Sequence, residues 1–210
     1  MNIAVVGASA GVGLLTVKRA LERGHKVTAL SRSGMQIQPN ANLISVTGSA
    51  TVAEDVKRVI QNADAVIVTI GTGKSTKATT LYTDAAAALI QAQKELQTKI
   101  PFIVLTGFGT GESGKYHGWV MKILFSLLLK KVYENKTKME EMIAASDMQW
   151  EIVRPGMLTD NPLSEKYRVE INYYKGMNIG SISRNDVADY LVKEAEKPTA
   201  LFEYAALSGT

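Results

Sequence analysis

Short apolar runs rich in β-branched residues alternate along the chain with longer stretches whose apolar residues recur every three or four positions. The short runs are typical of buried strands in a parallel sheet, and the longer stretches predict helices that cover the sheet. The predicted strands span residues 3–6, 26–30, 42–46, 65–70, 101–105, 150–153, 169–174 and 202–206. The predicted helices span residues 14–23, 52–62, 80–96, 119–145 and 183–196.

The alternation of strand and helix from the first residues predicts the fold class. It indicates an α/β fold, a Rossmann-type doubly wound parallel sheet with helices on both faces. The simple alternation breaks in the last third of the chain. We therefore expect one domain over residues 1–210, in which about residues 155–182 form a small C-terminal region that shapes the substrate side.

Composition excludes several classes of site. The 210 residues are 46% hydrophobic and 21% charged, which is typical of a globular core, and they include no cysteine. Disulfides, thiolate metal sites and a cysteine nucleophile are therefore excluded. The two histidines, His25 and His117, are far apart in sequence, so no metal site is expected. A net charge of +4 favours a small anionic ligand and argues against nucleic acid.

The sequence also bears on location and assembly. No basic segment with a cleavage-like site precedes the first predicted strand. The apolar stretch at residues 119–129 is interrupted by Lys122 and is shorter than the ~20 residues that a membrane span requires. We expect a cytoplasmic protein without a membrane span. The same stretch fits either a core helix or a subunit contact, so the expected state is a monomer or a weak homodimer.

A glycine-rich turn lies between the first predicted strand and the first predicted helix, with the sequence Gly7-Ala8-Ser9-Ala10-Gly11-Val12-Gly13. A dinucleotide pyrophosphate requires a tight turn, close backbone approach and free N–H groups at a helix N-terminus. The spacing G-x-x-x-G-x-G departs from the usual G-x-G-x-x-G, but its position in the strand–turn–helix unit favours dinucleotide binding. The alternative is an ordinary turn in which glycine supplies a positive φ.

The end of the second predicted strand indicates which dinucleotide is bound. NAD sites usually carry an acid there, whereas NADP sites carry a basic residue. This strand ends in Ser31-Arg32-Ser33, without an acid. Arg32 could bind a 2′-phosphate through two hydrogen bonds, with Ser31 or Ser33 adding a hydroxyl. We therefore predict NADP as cofactor, with NADPH preferred over NADH; the alternative is that Arg32 is an ordinary surface residue.

Two other loops attract attention. Gly71-Thr72-Gly73-Lys74-Ser75-Thr76 resembles a P-loop, but Val68 stands where the first glycine is needed. In a doubly wound sheet this loop instead passes close to the cofactor, so Ile70, Gly71 and Thr72 are predicted cofactor contacts. His117 lies in the glycine-rich stretch 107–118 after the fifth strand, and is a candidate catalytic residue or a mobile loop residue.

Five motifs occur in order along nearly the whole chain. They are the glycine turn at 7–13, Ser31-Arg32-Ser33, Ala63-Asp64-Ala65-Val66-Ile67-Val68, Glu151-Ile152-Val153-Arg154-Pro155-Gly156 and Ser183-Arg184-Asn185-Asp186-Val187-Ala188. This series resembles the NmrA-like NAD(P)-binding branch of the atypical short-chain dehydrogenase/reductase superfamily. Within that branch it is most similar to the flavin reductases related to biliverdin-IXβ reductase.

The resemblance implies an NADPH-binding Rossmann domain with the substrate against the nicotinamide. Thr106 corresponds to a family Ser or Thr near the nicotinamide, which makes it a candidate catalytic and cofactor-binding residue. Gly48-Ser49 stand where the family often has Gly-Asp facing the adenine. The resemblance further implies the following contacts: the pyrophosphate at Gly7, Ser9, Ala10, Gly11, Val12 and Gly13, the nicotinamide at Pro155 and Gly156, and the substrate at Gly107, Phe108, Met157 and Leu158.

The chain departs from the wider superfamily at the Tyr-x-x-x-Lys pair. Thr137 lies four residues after Tyr133, and Lys136 only three. Flavin reduction does not need that pair, because the flavin is itself an electron sink. We therefore predict an NADPH-dependent oxidoreductase that transfers hydride to a flavin or a similar planar acceptor, such as biliverdin or a quinone. The alternatives are a non-catalytic NADP-binding redox sensor or assembly factor, and a sugar-nucleotide epimerase-like enzyme.

Overall fold

The predicted alternation is present in the computed structural model, which describes residues 1–73, 75, 77–116, 130–174 and 176–210. The strands are β1 Asn2–Val6, β2 Lys26–Ser31, β3 Leu43–Thr47, β4 Ala65–Val68, β5 Pro101–Leu105, β6 Gln149–Pro155, β7 Met157–Thr159, β8 Tyr167–Glu170, β9 Ser181–Ser183 and β10 Tyr204–Gly209. The helices among the described residues are α1 Gly11–Glu22, α2 Ala53–Ile60, α3 Leu81–Leu96, α4 Lys130–Ala144 and α5 Arg184–Glu196, with a 3₁₀ helix at Gly111–Tyr116.

Eight of these strands form one sheet in the order β3-β2-β1-β4-β5-β6-β10-β8. All neighbours in it are parallel except β8, which runs antiparallel to β10. The order β3-β2-β1-β4-β5-β6 is that of a Rossmann sheet, in which ligands bind at the carboxyl ends of the strands where the order reverses. The predicted fold class is therefore confirmed, and the carboxyl ends of β1 and β4 mark the expected cofactor site.

The two faces of the sheet carry separate apolar cores. Helices α2, α3 and α4 cover one face, where Leu89 and Ile143 are fully buried among the strand residues. Helices α1 and α5 cover the other, where Val17 and Leu191 are fully buried. Strand β4 is buried at all four positions, as expected for a central strand covered on both sides. None of the described helices is long and apolar enough to cross a membrane.

Several element boundaries differ from the predictions. Helix α1 begins at Gly11 rather than at residue 14, so two of the three turn glycines belong to its first turn. Strand β4 ends at Val68 rather than at residue 70. Strand β6 includes Arg154 and Pro155, which were expected to end it. Pro155 is tolerated because it is the last residue of the strand, where its carbonyl accepts a hydrogen bond from the Phe108 N–H.

The C-terminal region differs most. A strand was predicted at residues 169–174, but β8 spans Tyr167–Glu170 and runs antiparallel at the sheet edge. The last strand begins at Tyr204, not at residue 202, because Phe202 has a φ of +65° and turns the chain. The short strands β7 and β9 pair with each other and were not predicted. Of the predicted helix 119–145, residues 119–129 lie outside the described residues.

Candidate cofactor and active site

The glycine turn bends sharply from β1 into α1. Gly7 has a φ of +94°, and a Cβ there would lie 2.9 Å from the backbone of Thr69 and Ile70, so both conformation and space require glycine. The N–H groups of Gly7 and Ala8 both donate to the Leu30 carbonyl, at 3.0 and 3.1 Å. The turn is thereby fixed against the ends of β2 and β4.

The start of α1 is pressed against this turn and has no side-chain cap. A Cβ on Gly13 would lie 2.2 Å from the Gly7 carbonyl oxygen and 2.6 Å from the Thr69 hydroxyl oxygen. The N-cap residue Ala10 is extended and offers no side-chain hydrogen bond, and the first turn contains no acid. Uncapped N–H groups at the positive end of a helix dipole fit a pyrophosphate. Ser9, Ala10 and Gly11 of this turn are at least partly exposed.

The end of β2 presents one cation beside the turn. Arg32 is exposed, and no described residue forms a salt bridge or hydrogen bond with its guanidinium. Ser31 is buried, and its hydroxyl donates to the Ser33 carbonyl at 2.6 Å. The Ser31 side chain is thus engaged within the loop, while Arg32 and Ser33 face solvent.

The residues after β3 are engaged in starting α2. The Ser49 N–H donates to the Asp55 carboxylate at 2.8 Å. A Cβ on Gly48 would lie 2.7 Å from that carboxyl group, so glycine is needed for this close approach. The Ser49 N–H, assisted by Arg58, holds the pKa of Asp55 below its ordinary value. Gly48 and Ser49 therefore lie at the expected sheet edge, where they contact the Asp55 carboxylate.

The chain leaves β4 directly beside the glycine turn. The Thr69 N–H donates to the Val6 carbonyl at 2.8 Å, and the Thr69 hydroxyl lies 3.3 Å from the Gly7 carbonyl oxygen. Ile70, Gly71 and Thr72 follow, and the Thr72 hydroxyl donates to the Ser75 carbonyl at 2.9 Å. The three predicted contacts thus continue from the turn that the pyrophosphate would occupy. Thr69 was not predicted, although it buttresses that turn.

At the end of β5, Thr106 is turned towards the protein interior. Its side chain is buried and donates to the Glu140 carboxylate at 2.6 Å, and its N–H donates to the Val153 carbonyl at 2.8 Å. Phe108, two residues on, is also buried. The Thr106 hydroxyl therefore has a fixed acceptor on α4.

Tyr133 and Lys136, which lack the Tyr-x-x-x-Lys spacing, both lie at this strand end. A Cβ on Gly107 would lie 3.3 Å from the Tyr133 hydroxyl oxygen and 3.7 Å from Lys136 Nζ. Lys136 donates to the Thr106 carbonyl at 2.8 Å. Burial lowers the pKa of Lys136 to about 8, although the nearby Glu140 opposes the shift. Burial, with Tyr82 and Glu140 nearby, raises the pKa of Tyr133 to about 12.

Beneath them lies a buried ion network centred on Glu140. Its carboxylate accepts from the hydroxyls of Thr106 and Thr110, each at 2.6 Å, and from Arg154 at 2.7 Å. Arg154 is 1% exposed and also pairs with Glu112 of the 3₁₀ helix. Although burial opposes it, the pairing with Arg154 holds the pKa of Glu112 below its ordinary value. The network ties β6, α4 and the residues after β5 together.

The residues after β6 complete the edge. A Cβ on Gly156 would lie 2.0 Å from the Gly180 carbonyl oxygen, so only glycine fits at this position. The Met157 N–H donates to the same carbonyl at 3.0 Å, while the Met157 side chain is 67% exposed. Leu158 packs on the core of the α1 and α5 face. His117, the second predicted catalytic residue, lies outside the described residues.

The carboxyl ends of β1 to β6 thus carry the predicted residues, among those that the structure describes, at one edge of the sheet. The sequence pattern of a family described as NAD(P)H-binding matches residues 7–198. The chain belongs to this NAD(P)H-binding family. The match begins at the first glycine of the turn and extends beyond α5, so it includes each strand end described above. The expected kinship with NmrA-like NAD(P)-binding proteins is confirmed at this level.

Individual relatives of this NAD(P)H-binding protein are distant. The uncharacterized sugar epimerase YhfK of Bacillus subtilis (strain 168) is 25% identical over 207 residues, which cover 94% of this chain and 89% of YhfK. ChuY, an anaerobilin reductase from Escherichia coli O157:H7, has a TM-score of 0.77 and 22% identity, covering 100% of this chain and 97% of ChuY. SP1627 of Streptococcus pneumoniae TIGR4, a candidate NADH-flavin reductase, has a TM-score of 0.80 and 23% identity, with 100% of both chains covered. At these identities the likeness to solved structures shows the shared fold.

Proposed function

We propose that this NAD(P)H-binding protein is an NADPH-dependent reductase that passes hydride to a flavin or a similar planar acceptor, such as biliverdin or a quinone. The observation that carries the proposal is the presence, at the same edge of the sheet, of an uncapped helix N-terminus and the desolvated amine of Lys136. The first fits a pyrophosphate, and the second fits an acid–base step beside it. Structural neighbours named as an anaerobilin reductase and a candidate flavin reductase support this acceptor class.

The residues present fit a dinucleotide. The turn at residues 7–13 would hold the pyrophosphate on its free N–H groups, and Arg32 would pair with a 2′-phosphate. The strand ends at Thr106 and Pro155 would border the nicotinamide, and Gly107, Phe108, Met157 and Leu158 the acceptor. When bound, the reduced cofactor supplies a hydride. The chain contributes orientation of two rings and exclusion of water, which together account for much of the rate in such transfers.

The preference for NADPH rests on Arg32. Its guanidinium is exposed next to the turn, has no acidic partner among the described residues and follows a strand end that lacks an acid. A ribose 2′-OH is normally bound by such an acid, whereas a 2′-phosphate fits a guanidinium. The geometry therefore favours the phosphorylated cofactor.

The direct test follows the loss of the reduced-nicotinamide absorbance with FMN, FAD, biliverdin or a quinone as acceptor. NADPH and NADH are run in parallel, and binding of each is measured separately by calorimetry. Turnover that prefers NADPH would support both the reductase and the role of Arg32. Tight NADPH binding without turnover on any acceptor would instead indicate a non-catalytic NADP-binding sensor or assembly factor.

A second candidate is favoured by one observation. Tyr133 and Lys136 both reach Gly107, and dehydrogenase and epimerase chemistry on hydroxyl groups uses a phenol–amine pair of this kind. The relative YhfK is named as an uncharacterized sugar epimerase. Reduction of NADP by nucleotide sugars, or their interconversion with bound NADP, would favour this candidate over the planar-acceptor reductase.

We further propose that the protein is cytoplasmic and is a monomer or a weak homodimer. Light scattering of the purified protein tests the proposed assembly state.

A further inference from the structure

Lys136 is held by α4 against the end of β5. Its Nζ donates to the Thr106 carbonyl at 2.8 Å, which uses one of its three N–H groups. The side chain lies over two aromatic rings, with Nζ 5.3 Å from the centroids of both Tyr82 and Tyr133. The residue as a whole is partly exposed, and its amine is desolvated.

The side chains that face this amine come from two helices. Tyr133 and Glu140 belong to α4, and Tyr82 to α3. Arg154 of β6 and Glu112 of the 3₁₀ helix complete the charge network on the far side of Glu140. Glu140 lies one helical turn from Lys136, and its carboxylate accepts a hydrogen bond from the Thr106 hydroxyl. The carboxylate and the amine thus bind two atoms of the same residue.

Two groups at Gly107 could supply a proton, and they differ as acids. Burial lowers the pKa of Lys136 to about 8, near the pH of a working protein. Burial raises the pKa of Tyr133 to about 12, which makes the phenol a weak donor. General acids act best when their pKa lies near the operating pH. The amine is therefore the better matched donor, although the phenol is slightly closer to Gly107.

We propose that the Lys136 ammonium, and not the Tyr133 hydroxyl, delivers the proton that completes reduction of the acceptor, with Glu140 as the residue that positions it. The inference rests on the proposed reductase function. In the step, the acceptor gains two electrons with the hydride. One Nζ–H bond of Lys136 breaks, its electron pair stays on nitrogen, and a new N–H or O–H bond forms on the acceptor. Water then returns a proton to the neutral amine.

Two substitutions separate proton delivery from charge. Lys136→Met should lower acceptor turnover by about 100-fold or more, the usual contribution of a general acid. Lys136→Arg keeps the positive charge and a donor for the Thr106 carbonyl, but guanidinium does not release its proton in proteins. It should therefore lose as much activity as Lys136→Met. Lys131→Met, on the exposed part of the same helix, is the matched control and should turn over like the wild type.

A second measurement uses the protein without cofactor or acceptor. The rate of acetylation of Lys136 by acetic anhydride is followed against pH by peptide mass mapping. Its midpoint should lie near pH 8, against about 10.4 for an ordinary lysine. Glu140→Gln should move the midpoint down by about one pH unit, because a neighbouring negative charge stabilises the ammonium form. Glu141→Gln, whose side chain is exposed on the next residue, should leave it unchanged.

The outcomes distinguish the two proposals. If wild-type protein shows no turnover on any acceptor, the proposed reductase function fails, whatever the labelling shows. If the wild type turns over but Lys136→Arg keeps activity within about threefold, the side chain acts through charge and proton delivery is refuted. A labelling midpoint near that of exposed Lys131 would also overturn the inference, because the amine would then be a poor acid at working pH.

Discussion

Glu151 is a buried carboxyl group that should make the protein less stable as the pH rises. It lies in β6, has no exposed surface and accepts a hydrogen bond from the Tyr190 hydroxyl at 2.7 Å. Burial raises its pKa from 4.5 to about 8, and the neighbouring carboxylate of Glu194 adds to the shift. At neutral pH the folded protein therefore holds this side chain as the neutral acid. We predict that Glu151→Gln stabilises the protein at pH 7 and above.

The sign and the size follow from proton linkage. Between pH 4.5 and about 8 the folded state keeps the proton and the unfolded state releases it. The free energy of unfolding then falls by up to about 1.4 kcal/mol for each pH unit. From pH 5 to pH 8 the loss reaches about 4 kcal/mol, a large part of the ~5–15 kcal/mol that stabilises a typical domain. Glutamine has no proton to release, so this component disappears in the variant.

Glutamine also fits the hydrogen bonds at this position. Its carbonyl can still accept from the Tyr190 hydroxyl. The other carboxyl oxygen of Glu151 has no hydrogen-bond partner among the described residues, so the amide replaces an atom that is already unpaired. The substitution therefore removes no existing hydrogen bond of a buried group, a loss that would cost about 1–3 kcal/mol. The volume of the side chain is nearly unchanged.

The assay is urea unfolding of wild type and Glu151→Gln at pH 5, 6, 7 and 8. The two free energies should agree within about 1 kcal/mol at pH 5 and diverge by about 4 kcal/mol at pH 8. Glu203→Gln, on an exposed side chain, is the control and should follow the wild type at every pH. Parallel curves for wild type and Glu151→Gln would refute the reasoning, because Glu151 would then ionise alike in both states.

Two further substitutions test the cofactor site. Arg32→Ala should weaken NADPH binding by about 10- to 100-fold, the value of a charged hydrogen bond, and change NADH binding by less than about twofold. Calorimetry with both cofactors measures the two affinities, and an equal loss of affinity for NADPH and NADH would contradict the role of Arg32. Gly13→Ala gains up to about 1 kcal/mol of helix propensity, but its Cβ meets the Gly7 carbonyl oxygen at 2.2 Å. We expect this steric clash to outweigh the gain in helix propensity, so that the variant has a lower Tm and no longer binds NADPH tightly. Gly34→Ala, whose Cβ would have no atom within 4 Å, is the control and should change neither property.

The features predicted well from sequence are local ones. Strand β1, the glycine turn and α1 form a unit whose conformation requires Gly7 and Gly13, and the turn was predicted from its glycines and their position between a strand and a helix. The alternation of buried strands and amphipathic helices similarly led to the correct fold class, because each element carries its own period. Such signals survive in a single sequence, since the residues that produce them are neighbours along the chain.

The features that were missed depend on distant contacts. Strand β8 pairs antiparallel with β10, and its half-exposed edge residues carry no continuous apolar run. The charge network joins Glu112, Glu140 and Arg154, which are distant in sequence and belong to three different elements. Arg154 reads as an ordinary charged residue at a strand end, yet it is 1% exposed. No spacing rule connects these residues, because only the packing of α4 on the sheet brings them together.

Tyr133 and Lys136 show how a spacing rule can mislead. On an α-helix, a side chain is a neighbour both of the one three positions on and of the one four positions on. Shortening the spacing from four to three therefore does not separate the two side chains. The longer reach of lysine takes Nζ to the Thr106 carbonyl, while the phenol remains beside Gly107. Nζ lies 5.3 Å from the centroid of the Tyr133 ring, and burial raises the pKa of the phenol. An altered spacing therefore keeps both groups at this strand end, and the acid that we propose is the amine rather than the phenol.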